Sequence, residues 1–207
     1  MLSIARGWPA ADTFARAGIT DGDIGEFGSV EAGEAMISIR YAKVADAAGI
    51  AHVHVESWRT AYADILPSSY LDGLNADDRT VLWRDWLSRD IEVFLSEEDG
   101  RINGFISGGA IREPVQSCDA ELFAIYLLKE AQGQGIGTAL LGALAESMAA
   151  KDYKSMAVWV LEQNPCKRFY AKSGAREDRS KEIEIGGANL TEVAYWWPDL
   201  RTLCPLG

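Results

Sequence analysis

Tyr126-Leu-Leu-Lys-Glu-Ala-Gln-Gly-Gln-Gly-Ile-Gly-Thr-Ala-Leu-Leu141 is the stretch whose reading decides the fold. It reads as a buried strand, a glycine-rich turn and the first turns of an apolar helix. Gln132, Gly135 and Gly137 are spaced as Gln-x-x-Gly-x-Gly, and the helix stripe begins directly behind them. Glycines let backbone N–H groups approach a ligand closely, and a helix N-terminus adds unpaired donors and a partial positive charge. The combination is that of a pyrophosphate cradle. The rest of the chain decides which phosphate ligand suits it.

Outward from this turn, the composition sets the frame. The 207 residues suit one domain with a sizeable core, at 48% hydrophobic and 25% charged. No apolar run approaches the ~20 residues of a membrane-spanning helix, and no signal peptide is read. Cys118, Cys166 and Cys204 are scattered without metal-ligand spacing, which points to a reducing, cytoplasmic setting and to no metal. A net charge of −11 without a Lys/Arg cluster argues against nucleic acid as a partner. The same charge agrees loosely with a cationic substrate such as an amine.

Residues 1–35 are rich in Gly, Ala, Asp and Glu and read as an N-terminal extension, flexible or loosely docked, with a brief helix over residues 10–17. The domain proper is expected over residues 36–207. Ile37–Lys43 alternates as a first strand, and Asp46 precedes a helix from Ala47 to about Tyr62. Trp58 and Tyr62, four apart, share a face of it. Two further helices follow, Ser68–Leu74 behind Pro67 and Asp77–Leu87. Ile91–Leu95 and Ile102–Ile111 form a hairpin around Asp99-Gly100, and Ala120–Leu128 is the strongest β-forming run. Met156–Leu161 is apolar enough for a strand buried on both faces. Asn164-Pro165 opens a helix carrying Phe169 and Tyr170; Glu182–Ile185 and Leu190–Trp197 close the chain as a hairpin about Gly186-Gly187.

That order gives an α/β fold, with a mixed, mostly antiparallel seven-stranded sheet and helices on both faces. A Rossmann fold would place its glycine turn after the first strand, whereas here it follows the fourth. No Gly-Lys-Ser/Thr follows it, which removes the nucleotide P-loop.

Gln132-Gly-Gln-Gly-Ile-Gly137, Asn164-Pro-Cys-Lys-Arg-Phe-Tyr170 and Trp58-Arg-Thr-Ala-Tyr62 with Ile65-Leu-Pro67, in that layout, resemble the GNAT superfamily of acyl-CoA-dependent N-acetyltransferases. The likeness runs from about Ile37 to Leu200. It departs in the second motif, where Lys167 stands between Asn164 and Tyr170 and Ala175 follows Gly174 in place of the usual aromatic. The resemblance implies acetyl-CoA as co-substrate, with pantetheine along the backbone of Tyr126, Leu127 and Leu128. The pyrophosphate would lie on Gln132, Gly133, Gln134, Gly135, Ile136, Gly137 and Thr138. Asn164 would hydrogen-bond the pantetheine or the acceptor, and equally suits a helix N-cap. Tyr170 is the expected general acid for the leaving thiolate, and Glu121 the expected general base, set against a plain solvated glutamate at a strand start. Glu162 is a weaker candidate for the base, and Asp119 reads as a loop residue. Trp58 and Tyr62 are expected either to line the acceptor pocket or to sit in the core. His52 and His54 are two apart and cannot chelate together. The function implied is acetyl transfer to a primary amine of a small molecule or a peptide N-terminus, by direct attack in a ternary complex. A non-catalytic acyl-CoA-binding sensor on the same fold is the alternative. No membrane partner is read, and dimerisation through the C-terminal hairpin stays open.

Overall fold

A computed structural model describes residues 26–32, 35–89 and 91–204. The expected helix over residues 10–17 lies outside them. Thirteen regular elements follow in order: β1 Glu26–Ala32, β2 Ala35–Tyr41, α1 Ala47–Ala61, α2 Ser68–Asp72, α3 Ala76–Trp86, β3 Glu92–Glu98 and β4 Arg101–Ala110, then β5 Ala120–Leu127, α4 Ile136–Ala150, β6 Met156–Leu161, α5 Lys167–Lys172, β7 Arg176–Ile185 and β8 Ala188–Trp197. The strands form one sheet in the order β1-β2-β3-β4-β5-β6-β8-β7, and β5–β6 is its parallel pair. Strands β2 to β8 are the seven expected. The eighth, β1, pairs antiparallel with β2 inside the stretch read as an extension. β7 begins at Arg176, six residues before the expected Glu182.

Each face of the sheet carries its own core. Helix α4 lays Leu140, Leu141, Leu144 and Met148 on one face, over Phe94, Ile106, Leu122 and Val158. Helices α1 and α3 cover the other face with Ile50, Val53, Trp58, Trp83 and Trp86 over Leu95, Phe105 and Tyr126. α3 starts cleanly because Asn75 Oδ1 accepts from the N–H groups of Asp77 at 2.7 Å and Asp78 at 3.2 Å. The glycines of β4, which weaken it as a strand, answer to close packing. A Cβ on Gly108 would stand 3.0 Å from Leu144 Cδ2 and 3.0 Å from the Glu121 carbonyl oxygen. Among the described residues no helix is long and apolar enough to cross a membrane.

One irregularity shapes the site. Along the β4–β5 ladder Ser107 pairs with Ala124 but Gly108 pairs with Leu122, so Phe123 is an extra residue on β5. Such a bulge reverses the alternation of faces and bends the strand. Ala120 and Leu122 before it belong to the α4 core, as do Ile125 and the partly buried Leu127 after it. Ala124 and Tyr126 belong to the opposite core. The β5–β6 pairing covers Ala120–Leu122 with Met156–Val158 and stops there, while β6 pairs with β8 up to Leu161. Beyond the bulge the two parallel strands therefore diverge.

Candidate active site

The divergence leaves a cleft of about 320 Å³, walled by Ile125 and Leu127 on one side and by Cys166, Phe169 and Tyr170 on the other. Its floor is the glycine turn, with Gln132, Gly133, Gly135, Gly137 and Thr138. The two sequence motifs, some thirty residues apart in the chain, thus meet across one opening.

The turn needs its glycines. Gly133 has φ 79° and Gly135 φ 82°, in the left-handed region that side chains with a Cβ avoid. Gly135 is the N-cap of α4, and no side chain caps that helix. The Thr138 N–H turns back to the Gly135 carbonyl at 3.0 Å, and the Ile136 and Gly137 N–H groups at the start of this 15-residue helix have no side-chain cap, the arrangement that holds a phosphate. Two residues of the run do not line the cleft. Ile136 is buried in the α4 core, and Gln134 Nε2 donates to the Glu130 carbonyl at 2.7 Å. Gln132 Nε2 donates to the Leu127 carbonyl at 3.2 Å, which ties the turn to the strand.

The strand edge offered to the cleft is narrower than expected. The Leu128 N–H donates to the Asn103 carbonyl at 2.9 Å, and Tyr126 faces Phe105 two residues back in the same ladder. In an antiparallel ladder alternate residues turn their backbone groups to the same partner. Tyr126 and Leu128 are committed to β4, and Ile125 and Leu127 hold the free edge. The Leu127 carbonyl already accepts from Ser57 Oγ at 3.1 Å, so its N–H remains for a ligand.

Tyr170 is fully buried on the cleft wall, and its hydroxyl has no hydrogen-bond partner. Such a hydroxyl costs ~1–3 kcal/mol when left unmade. Edge contacts with Phe169 at 5.5 Å and Trp197 at 6.0 Å fix the ring. Asn164 is buried and its Oδ1 accepts from the Cys166 N–H at 2.9 Å, shaping the turn before α5. Its Nδ2 donates to Tyr62 Oη at 3.3 Å. Asn164 is thus a turn-former in this structure, and it does not line the cleft.

Trp58 and Tyr62 are buried, their rings 5.3 Å apart edge to face, with Tyr70 on the other side of Trp58 at 6.2 Å. They sit in the packed α1–α3 core. Glu121 is 2% exposed, and both its oxygens are held by Arg112, one by the guanidinium and one by the backbone N–H at 3.0 Å. The Arg112 guanidinium also lies 4.1 Å from the Phe123 ring, beside the bulge. Nothing in the sequence signals that ion pair, because Arg112 and Glu121 meet only when the loop after β4 folds back. Glu162 is exposed, and Asp119 ties the loop to Lys154 and Ser155 through their N–H groups, each at 2.9 Å. Among the described residues no group of three His, Cys, Asp or Glu side chains gathers as metal ligands would.

His52 is exposed and His54 is buried, accepting from Trp83 Nε1 at 3.2 Å through Nδ1. Burial, and then the Arg79 charge, lowers His54 from 6.5 to about 3. The unfolded chain therefore takes up this proton first. Its stabilising effect is complete above pH 6.5 and is lost as pH falls toward 3. The expected loss is about 1.4 kcal/mol per pH unit, hence about 2 kcal/mol at pH 5. Urea unfolding of the protein and of His54→Gln between pH 7 and 4.5 checks this; parallel slopes would refute it.

The chain matches the profile of the Acetyltransferase (GNAT) family over residues 55–175. It is 43% identical to the uncharacterized N-acetyltransferase YuaI of Bacillus subtilis, over 81% of this chain and 96% of that one. Among solved structures, the PaiA N-acetyltransferase of Thermoplasma acidophilum in complex with coenzyme A is 25% identical, with TM-score 0.59, over 75% of this chain and 97% of its own. YncA, a putative acetyltransferase of Salmonella typhimurium with its cofactor acetyl-CoA, is 22% identical with TM-score 0.60, over 78% and 93%. The chain belongs to the GNAT acetyltransferase family and is an acetyltransferase.

Proposed function

We propose that the protein transfers the acetyl group of acetyl-CoA to a primary amine, on a small molecule or a peptide N-terminus, by direct attack in a ternary complex. The observation that carries this reading is the buried, unpartnered Tyr170 hydroxyl on the wall of a cleft whose floor is an uncapped glycine turn. The N–H groups at the start of α4 suit the pyrophosphate. The free N–H of Leu127 suits the pantetheine amide or the thioester oxygen, where a fixed donor stabilises developing negative charge.

In this reading the amine nitrogen forms a bond to the thioester carbon and the C–S bond breaks. The proton lost by the amine passes toward Glu121, and Tyr170 donates its own to the departing thiolate. Each Glu121 oxygen keeps one lone pair beyond its contact with Arg112, so its capacity to accept a proton or a hydrogen bond is not exhausted. Acyl-CoA binding without transfer is the second reading, favoured by the burial of Trp58 and Tyr62 and by the Glu121–Arg112 ion pair.

Calorimetric titration with CoA, followed by a thiol-release screen of diverse amines, separates them. Binding with turnover of at least one amine is expected. Binding with no turnover across the screen would favour the sensor, and no binding at millimolar CoA would remove both.

A further inference from the structure

The donor cleft touches both cores of the protein. Of the apolar residues that line it, Ile125, Leu127, Ala131, Phe169 and Tyr170 pack with the α4 core, whereas Cys166 packs against the α1–α3 core. The glycine turn that starts α4 lies on the first side. In the reading proposed above, CoA rests its pyrophosphate on that turn. Its pantetheine arm then passes between the diverging β5 and β6, and its sulfur arrives at the Cys166 end.

Tyr170, on the same wall, is fully buried, and its hydroxyl has no hydrogen-bond partner, so the cleft lacks a polar group at that point. Cys166 caps the start of α5 four residues before Tyr170, a spacing that puts Cβ atoms about 5–6 Å apart on one helix face. A CoA sulfur that accepts from Tyr170 is thus a near neighbour of the Cys166 thiol. The Cys166 backbone is fixed, because its N–H donates to Asn164 Oδ1 at 2.9 Å and its carbonyl accepts from the Phe169 N–H at 2.9 Å.

The Cys166 thiol is half-buried and unbridged, and burial raises it above the ordinary thiol range. The thiolate is the attacking form in disulfide exchange, so a raised thiol reacts slowly with small disulfides that meet it by collision. A disulfide held in the cleft by its own phosphates offsets this through a high effective concentration. The other two cysteines lack that setting. Cys118 is buried, with its thiol pushed up to about 11 by burial, Cys204 Sγ donates to the Leu200 carbonyl at 3.6 Å, and neither lines the cleft.

Resting on the reading of this cleft as the CoA site, we infer that Cys166 is a modification site that forms a mixed disulfide with CoA, closing the donor cleft until a thiol reductant reopens it. The oxidant is CoA disulfide. The Cys166 sulfur gives up its proton and attacks the sulfur of the CoA half seated in the cleft. The Cys166–CoA bond forms, the disulfide bond between the two CoA sulfurs breaks, and the second CoA leaves as a thiolate that takes up a proton. Cys166 is oxidised and one CoA is reduced to its thiol, with no further co-reactant.

The test treats the reduced protein with CoA disulfide or, at equal concentration, with glutathione disulfide, and follows the adduct by intact mass and peptide mapping. CoA disulfide is expected to place one CoA on the Cys166 peptide at least ~10-fold faster than glutathione disulfide places glutathione there. Saturating acetyl-CoA is expected to block the adduct. The adduct should abolish acetyl-CoA binding in calorimetry, and dithiothreitol should restore it. Cys166→Ser should take no adduct and should keep, after treatment, the acetyl-CoA affinity it had before. Equal rates for the two disulfides, an adduct that acetyl-CoA does not block, or one confined to Cys118 or Cys204 would overturn the inference. So would the absence of any adduct on a protein that binds CoA, and the donor reading would then stand. No CoA binding before treatment refutes the donor reading, and the inference with it.

Discussion

Replacing Tyr170 by Phe is expected to lower kcat about 10²- to 10³-fold while leaving the melting temperature unchanged or higher. The two halves of this expectation have separate causes. The hydroxyl is fully buried and unpartnered, so the folded chain bears its desolvation and receives no hydrogen bond in return. Deleting one oxygen leaves the ring contacts with Phe169, Tyr195 and Trp197 in place. Turnover should suffer because Tyr170 is the phenol on the cleft wall among the described residues, while the Tyr195 hydroxyl is committed to Glu177. Thiol-release kinetics, scanning calorimetry and CoA titration check this together. Unchanged turnover would sink the general-acid role. A fall in melting temperature matching the fall in turnover would make Tyr170 a packing residue.

That site is partly legible in the sequence. The Gln132–Gly137 turn and the Asn164–Tyr170 segment carry local chemistry, because a left-handed glycine and an Asx turn are written in neighbouring residues. The strands from β2 to β6 were legible for the same reason, since alternation and apolar runs report burial directly. The start of β7 was not. Residues 176–181 are polar and mostly exposed on the last strand of the sheet, with no buried face to mark them. β1 eluded the sequence because its Gly and Glu content reads as loop.

Long-range pairings were the other blind spot. The bulge at Phe123 is a mismatch between two strands, and no single stretch encodes it. It nevertheless decides which residues of β5 meet the cleft, moving the free edge to Ile125 and Leu127. The ion pair of Glu121 with Arg112 and the packing of Trp58 and Tyr62 in the α1–α3 core are likewise contacts that no single stretch encodes. Each of these adjusts a residue's role without changing the fold.

Gly135→Val tests whether the glycine turn serves the ligand or the fold, and the expected result is a CoA dissociation constant raised about 100-fold. A β-branched side chain at φ 82° is strained by ~1–2 kcal/mol, and the chain relieves it by turning away from the left-handed region. No heavy atom lies within 4 Å of the added Cβ, so no clash contributes. The stability loss should therefore be a few degrees of melting temperature. Gly100→Val is the matched control. Its φ is 76° and its Cβ position is equally open, but it lies in the β3–β4 turn, away from the donor cleft. Both variants should lose similar stability, and only Gly135→Val should lose CoA. A 100-fold loss is about 2.7 kcal/mol, the scale of one or two charge-assisted N–H contacts to phosphate. Equal CoA affinity in the two variants would mean that the α4 N-terminus does not hold the pyrophosphate, and that the turn is there only to start the helix.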